Sequence, residues 1–596
     1  MRRFEEHEKR APDAKDIRGY EGSIFRDAVW KWRDALPTKR KEQLEEVVRE
    51  QGDPDAWQER LFPTEISPLT GSDFASRPVP EIVSFLQTWQ PQPGPKKQTV
   101  TALAQQLRQA VDQEPLRFAE HAERFASLRP VYVRRVLEGL ESAVRNNREI
   151  PWGSLLALME TAIAHGKDGS TESKIVEGDD PDWLWSCTTA AGILRFTLGQ
   201  GREGIAYEYA GRVLALIFAL NRIAPASPET NDFESQFERH TYFTAEQTLR
   251  GRALELCIMY LFWESKQAGS ALIENPRAAM AIRHDIPAEL DKQLDDRSPD
   301  GRIPRAIIGR WMQWLVFFGK DWLVERLNSI FPADDNGLRL AAWRAHLLSD
   351  GGPVRELLPS LLGNYMEEIA RMADERQGEG QSVHDSEHRD NRFGEYVLIV
   401  YLGAEAPDEL MQAFWRTAPE RARQHVIWFL GSHLQLPADK LADDIRARGY
   451  AYWTTRLAAG LAATDKEPFR NELGAVASWC RHDNIPADWL LDQMLKMLSG
   501  GYAPSSGYTV VEWLAKVSTD DAARSIDVLE LLLRNPHIDH WTYTTHKESV
   551  RTILLAALNS GIPEASAKAE ATIGFLASIG ETEYLNLMPP DDATIR

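Results

Sequence analysis

Three short patterns in this chain carry residue types that could do chemistry, each of a different kind. Gly199-Gln-Gly201-Arg-Glu-Gly204 has the G-x-G-x-x-G spacing of a turn whose glycines let backbone amides approach a dinucleotide pyrophosphate. His384-Asp-Ser-Glu387-His388 has the order of an inverted zinc peptidase, in which two imidazoles hold a metal and a carboxylate activates its water. His537, His540 and His546 follow Asn535-Pro536, where turn and capping hydrogen bonds explain them as well as a ligand role does. Gly166-Lys167 and Gly319-Lys320 lack the upstream glycine and the following hydroxyl of a phosphate-binding loop, so ATP binding by that device is not expected. There is no G-x-S-x-G elbow and no cysteine with a patterned histidine partner; Asp and Glu are too numerous for a catalytic pair to be picked out by spacing.

The elements around these patterns weigh against chemistry. Before Gly199 the apolar residues Leu184, Cys187, Ala191, Leu194 and Leu198 recur at steps of three and four, as do Ile205, Tyr209, Val213, Leu216 and Leu220 after Gly204. A dinucleotide turn needs a strand on its N-terminal side, whereas these steps are helical. The acidic residue that would hold a ribose is replaced by Asn221-Arg222, an arginine that suits at most a 2′-phosphate. The glycines therefore read as a turn between helices Asp182–Leu198 and Glu203–Arg222, with positive φ expected at one or more of them. His384 and His388 fall in the polar, glycine-containing segment 374–391, which reads as a loop, and only a formed helix would bring them to one metal. No catalytic, cofactor or metal residue is assigned.

Charge and composition narrow the partners. Across 596 residues the net charge is −20, and no stripe of Lys and Arg offers a track for phosphates, which argues against nucleic acid. The basic run Thr38–Lys41 is followed at once by Glu42, Glu45 and Glu46, as on an exposed helix carrying both signs. No run of about 18 apolar residues is present, and the start lacks the apolar core of a signal peptide. Cys187, Cys257 and Cys480 lie in apolar helical stretches without C-x-x-C spacing and read as reduced core residues of a cytoplasmic protein.

From residue 99 onward helical periodicity dominates. Leu116, Ala119, Ala122 and Phe125 follow Pro115, and Val133, Val136, Leu140 and Val144 follow Pro130. Proline suits the first helical turn, where its missing N–H removes no bond, and further openings stand at Pro437, Pro486 and Pro563. The expectation is an all-α fold, an irregular α-solenoid of antiparallel helix pairs related to HEAT or TPR arrays with degenerate repeats. Its parts would be an N-terminal, mainly helical region 1–90, a Pro-rich linker 91–98, a first half 99–373, the polar loop 374–391 and a second half 392–596. Nineteen tryptophans fill gaps between crossing helices or line a partner surface. Trp30 and Trp32 cannot both face one core, because neighbours two apart on a helix diverge by about 200°.

Several segments together resemble the C-terminal helical region of large bacterial STAND-type antiviral NTPases (Avs-like). They are Thr248–Glu255, Asp321–Leu327, Ala341–Arg344, Val426–His433, Glu472–Trp479 and the terminal hairpin Ala556–Leu587, all of them helix-packing patterns rather than catalytic motifs. The resemblance implies a ligand-sensing role: in that family the helical region binds an invader's protein, and assembly of the NTPase releases an effector. Neither NTPase nor effector is expected here, so the chain is either a sensor portion of a longer protein or a stand-alone helical subunit, with oligomerisation through a missing NTPase region. The expected function is a non-enzymatic protein-recognition module for a protein partner, which the resemblance implies is a phage protein, with no nucleic acid, membrane or cofactor. A constitutive scaffold subunit, and an enzyme using Gly199–Gly204 or His384–His388, are the alternatives. The acidic charge predicts a basic contact patch on the partner and association that slows with salt.

Overall fold

The computed structural model describes residues 22, 25–26, 28–51, 66–91, 97–167, 180–199, 204–223, 233–349, 351–374, 383–437, 439–539 and 544–588; at 51, 234, 239 and 383–388 it describes the backbone only. Among these residues every extended element is a helix, and the sole bridge, Ile66 with Gln98, joins the end of the proline-rich linker to the chain before it. The all-α expectation holds. The chain forms two compact units, residues 1–225 with 252–273 and residues 226–251 with 274–596, so the division does not fall at the polar segment 374–391. Helices of ten or more residues are numbered below.

The first unit holds α1 (Thr38–Gln51), α2 (Val79–Thr88), α3 (Val100–Gln113), α4 (Pro130–Arg145), α5 (Trp152–Lys167), α6 (Leu184–Gly199), α7 (Ala210–Ile223) and most of α8 (Leu249–Glu264). The N-cap Thr99 accepts from the Ala102 amide at 3.1 Å, satisfying one of the four orphan donors at a helix start. The buried faces of α3 (Leu103, Leu107, Ala110) and α4 (Val133, Val136, Leu140, Val144) follow the three-and-four spacing and pack on each other. α4 also packs on α6, and α5 on α7. On α1 the mixed charges are exposed as expected, with only Leu44 buried. The run after Pro115 is not one helix: it breaks into Pro115–Ala119 and a 3-10 segment Ala122–Ser127, which leaves Leu116 exposed.

The second unit continues with α9 (Asp285–Leu294), α10 (Arg302–Ile330), α11 (Asn336–Leu347), α12 (Leu358–Asp374), α13 (Val383–Leu402), α14 (Asp408–Thr417), α15 (Glu420–Leu434), α16 (Asp443–Ala462), α17 (Ala487–Ser499), α18 (Gly507–Val517), α19 (Ala522–Leu533), α20 (Lys547–Leu558) and α21 (Pro563–Ser578). α10 packs on α11, α13 on α15, α17 on α19, and α19 on both α20 and α21. A Cβ at Gly309 would lie 2.2 Å from the Ala342 carbonyl oxygen, so glycine is what lets α10 and α11 touch backbone to backbone. Pro486 and Pro563 open helices as expected, but Pro437 opens only a turn, and α16 starts later, at Asp443. The loop reading of 374–391 fails from Val383 onward, where α13 has begun; Asp390 is buried there against Arg371 at 2.6 Å and Arg421 at 3.0 Å, partners that hold a polar sequence in helical form.

Two buried guanidinium sites fix this unit. Arg305, fully buried, donates to the carbonyls of Leu294 (2.8 Å), Asp296 (2.8 Å), Gly301 (2.8 Å) and Ser329 (2.9 Å), and burial lowers its pKa to about 10. It thereby satisfies the end of α9 and ties it to both ends of α10. Glu472, fully buried, accepts from Arg423 Nε at 2.7 Å and from Arg456 Nε at 2.5 Å. The Arg423 guanidinium also reaches the Pro468 carbonyl at 2.6 Å, and that of Arg456 lies 5.1 Å from the Phe469 ring centroid.

Candidate functional site

The glycine pattern and the histidine pattern meet different outcomes in the fold. Gly199 ends α6, and the segment after Gly204 is a 3-10 turn Tyr207–Tyr209 leading into α7 at Ala210, later than the Glu203 expected. The strand that a dinucleotide turn requires is absent from 184–199. Neither Gly199 nor Gly204 has positive φ, because Gly199 is still helical; Gly201 lies outside the described residues. His384 and His388 stand four residues apart on α13, the helical backbone that a shared metal would need and that the loop reading had denied them; their side chains lie outside the described ones. Among the described residues no group of three or more His, Cys, Asp and Glu side chains is placed to hold a metal. His537 donates its amide to Asn535 Oδ1 at 3.0 Å and His546 faces Glu512 at 3.3 Å, so these two take turn and surface roles; His540 lies outside the described residues.

The cysteines are core residues. All three are buried and unpaired with one another; burial pushes the Cys187 thiol up to about 12 and the Cys480 thiol upward too, which removes thiolate reactivity. The tryptophans divide between core and surface, and Trp30 and Trp32 lie on a 3-10 segment, Trp30–Ala35, in which neither is buried. Trp263, Trp343, Trp453 and Trp479 are fully buried, whereas Trp32 is 68% exposed, with the Trp30 ring partly covered by the Arg33 guanidinium at 4.6 Å.

One concavity of the second unit was not singled out from sequence. It is an open cleft of about 990 Å³ bounded by residues 277–291, the middle of α10, the turn 353–356 and Glu405. At the edge of the cleft α10 bends: Gly319, at φ −177° and ψ 69°, breaks the helix between its halves and lines the cleft. A Cβ at 319 would lie 2.6–2.8 Å from three atoms of Met280, so only glycine admits the Met280 side chain against the backbone at the bend. Val316, Phe317 and Trp322 contribute apolar surface. Ala404, in left-handed conformation at φ 61°, turns the chain after α13 and delivers Glu405 to the far wall.

The charges of the cleft are largely matched inside the chain. Arg326 grips Asp291 through Nε at 2.8 Å and Nη2 at 3.0 Å, and Trp322 Nε1 donates to the same carboxylate at 3.0 Å. That carboxylate is the chief reason the Arg326 pKa is raised. Lys320 meets Glu356 at 3.1 Å and Arg355 meets Glu405 at 3.5 Å. The Arg277 guanidinium sits over the Phe317 ring, 5.5 Å from its centroid. Such a surface offers aromatic platforms and directional charge, suited to holding another molecule's side chains. Among the described residues no helix is long and apolar enough to cross a membrane.

Fold and cleft thus define an all-helical protein with an open, mixed-charge groove at a helix bend. Comparison of the chain with protein-family models, with curated proteins and with solved structures gives no match.

Proposed function

We propose that the chain is a non-enzymatic protein-recognition module whose cleft at the Gly319 bend receives a segment of a partner protein. The cleft carries this reading. Its volume of about 990 Å³ stands at the upper end of ligand pockets, roughly 300–1,000 Å³, and its ion pairs close on one another instead of converging on a reacting point. Its aromatic platforms, Phe317 and Trp322, are of the type enriched in interface anchors. The resemblance of the helical segments to the sensor region of STAND-type antiviral NTPases makes an invader's protein the favoured partner and the bacterial cytoplasm the favoured setting, with any enzymatic step carried elsewhere.

Affinity capture from phage-infected and uninfected bacterial lysates tests the proposal, using the chain and its Ala281→Arg variant. Ala281 is exposed and lines the cleft, so arginine fills the groove without entering the core. A protein retained from infected lysate by the parent chain and lost with the variant is the expected result. A folded chain that captures nothing, or a capture indifferent to Ala281→Arg, would overturn it.

A further inference from the structure

We infer that the partner enters this cleft with a basic side chain received by Asp321 and Glu325 beside the Trp322 ring; the inference rests on reading the chain as a recognition module. The cleft's carboxylates fall into two groups. Asp291, Glu356 and Glu405 are taken by Arg326, Lys320 and Arg355 at 2.8, 3.1 and 3.5 Å. Asp321 and Glu325 are not neutralised in the same way. Both are exposed, and they stand four residues apart on the half of α10 after the bend, hence side by side on one helical face. Glu325 has only Arg326 Nη1 at 3.2 Å, from a guanidinium already bound to Asp291 through its other nitrogens. Asp321 has no cationic partner among the described residues.

Like charges at this spacing repel each other. The helix dipole favours Asp321, in the first turn after the bend, but has little effect on Glu325 a turn later. A basic group between the two carboxylates would relieve the repulsion. The neighbouring aromatic surface suits such a group: Arg277 already rests a guanidinium on Phe317, and Trp322 is held in place by its bond to Asp291, presenting a ring that attracts cations. The chain's net charge of −20 draws a basic segment in from a distance.

The test titrates the full chain with a capped, alternating arginine–leucine hexapeptide and with its glutamate–leucine counterpart. The arginine peptide should bind and the glutamate peptide should not. Asp321→Asn/Glu325→Gln should weaken binding by about tenfold, the loss of a charge-assisted bond or two, while Glu42→Gln/Glu46→Gln, which removes two exposed carboxylates from α1, should change it less than about twofold. Equal losses in the two double variants, tighter binding of the glutamate peptide, or no binding of the arginine peptide would each overturn the cation assignment. None of these outcomes decides the recognition reading, which stands or falls on capture by the parent chain and loss with Ala281→Arg.

Discussion

His346 offers a quantitative handle on the second unit. It is fully buried on α11, with Trp343 at 5.7 Å and Tyr396 edge-on at 5.3 Å, and Tyr396 donates its hydroxyl to the His346 carbonyl at 2.6 Å. Burial lowers the imidazole pKa from 6.5 to about 4, because the charged ring would lose its hydration without gaining a carboxylate. As pH falls, the unfolded chain therefore takes up this proton before the folded one. The contribution of His346 is complete above pH 6.5, is lost progressively between pH 6.5 and about 4, and is constant below that. A difference of 6.5 to about 4 amounts to about 3 kcal/mol. Urea denaturation of the parent chain and of His346→Leu, followed by hydrogen exchange in peptides from α11, gives the contrast directly, since other groups titrate alike in both. The stability advantage of the parent over the variant should shrink by about 1.4 kcal/mol per pH unit across the middle of this window. Parallel pH profiles for the two proteins would refute a neutral, desolvated His346.

Glu472→Gln should cost about 3–5 kcal/mol by leaving the buried guanidiniums of Arg423 and Arg456 without their carboxylate; replacing all three residues by apolar ones of similar volume should recover most of the loss, both read as midpoints in denaturant. Gly319→Ala should destabilise by about 1–3 kcal/mol through its clash with Met280, and the cost should be smaller in a Met280→Ala background, a coupling that a double-mutant cycle measures.

Much of the helical architecture was legible because its signal is local. The apolar steps of α4 and α6 match their buried faces. Failures came where tertiary partners override local pattern. Polar residues from Val383 onward form helix, and the Asp390 that begins the packed part of α13 is held by arginines of α12 and α15. The cleft was illegible for a different reason: its lining comes from four stretches between Arg277 and Glu405, which no spacing rule connects. Gly319-Lys320 drew notice only as a failed phosphate-loop fragment, yet the glycine matters for the methionine it admits. In so acidic a chain, nothing in the spacing of Glu472, Arg423 or Arg456 marks them as buried.

Site-specific photocrosslinking tests most directly whether the cleft holds a partner protein. A photoreactive residue is placed at Ala281 on the cleft wall or, as a control, at exposed Ala567 on α21, and each protein is irradiated in phage-infected lysate. A discrete crosslinked protein from position 281 and none from position 567 is the predicted result; the same products from both positions, or none from 281, would contradict it.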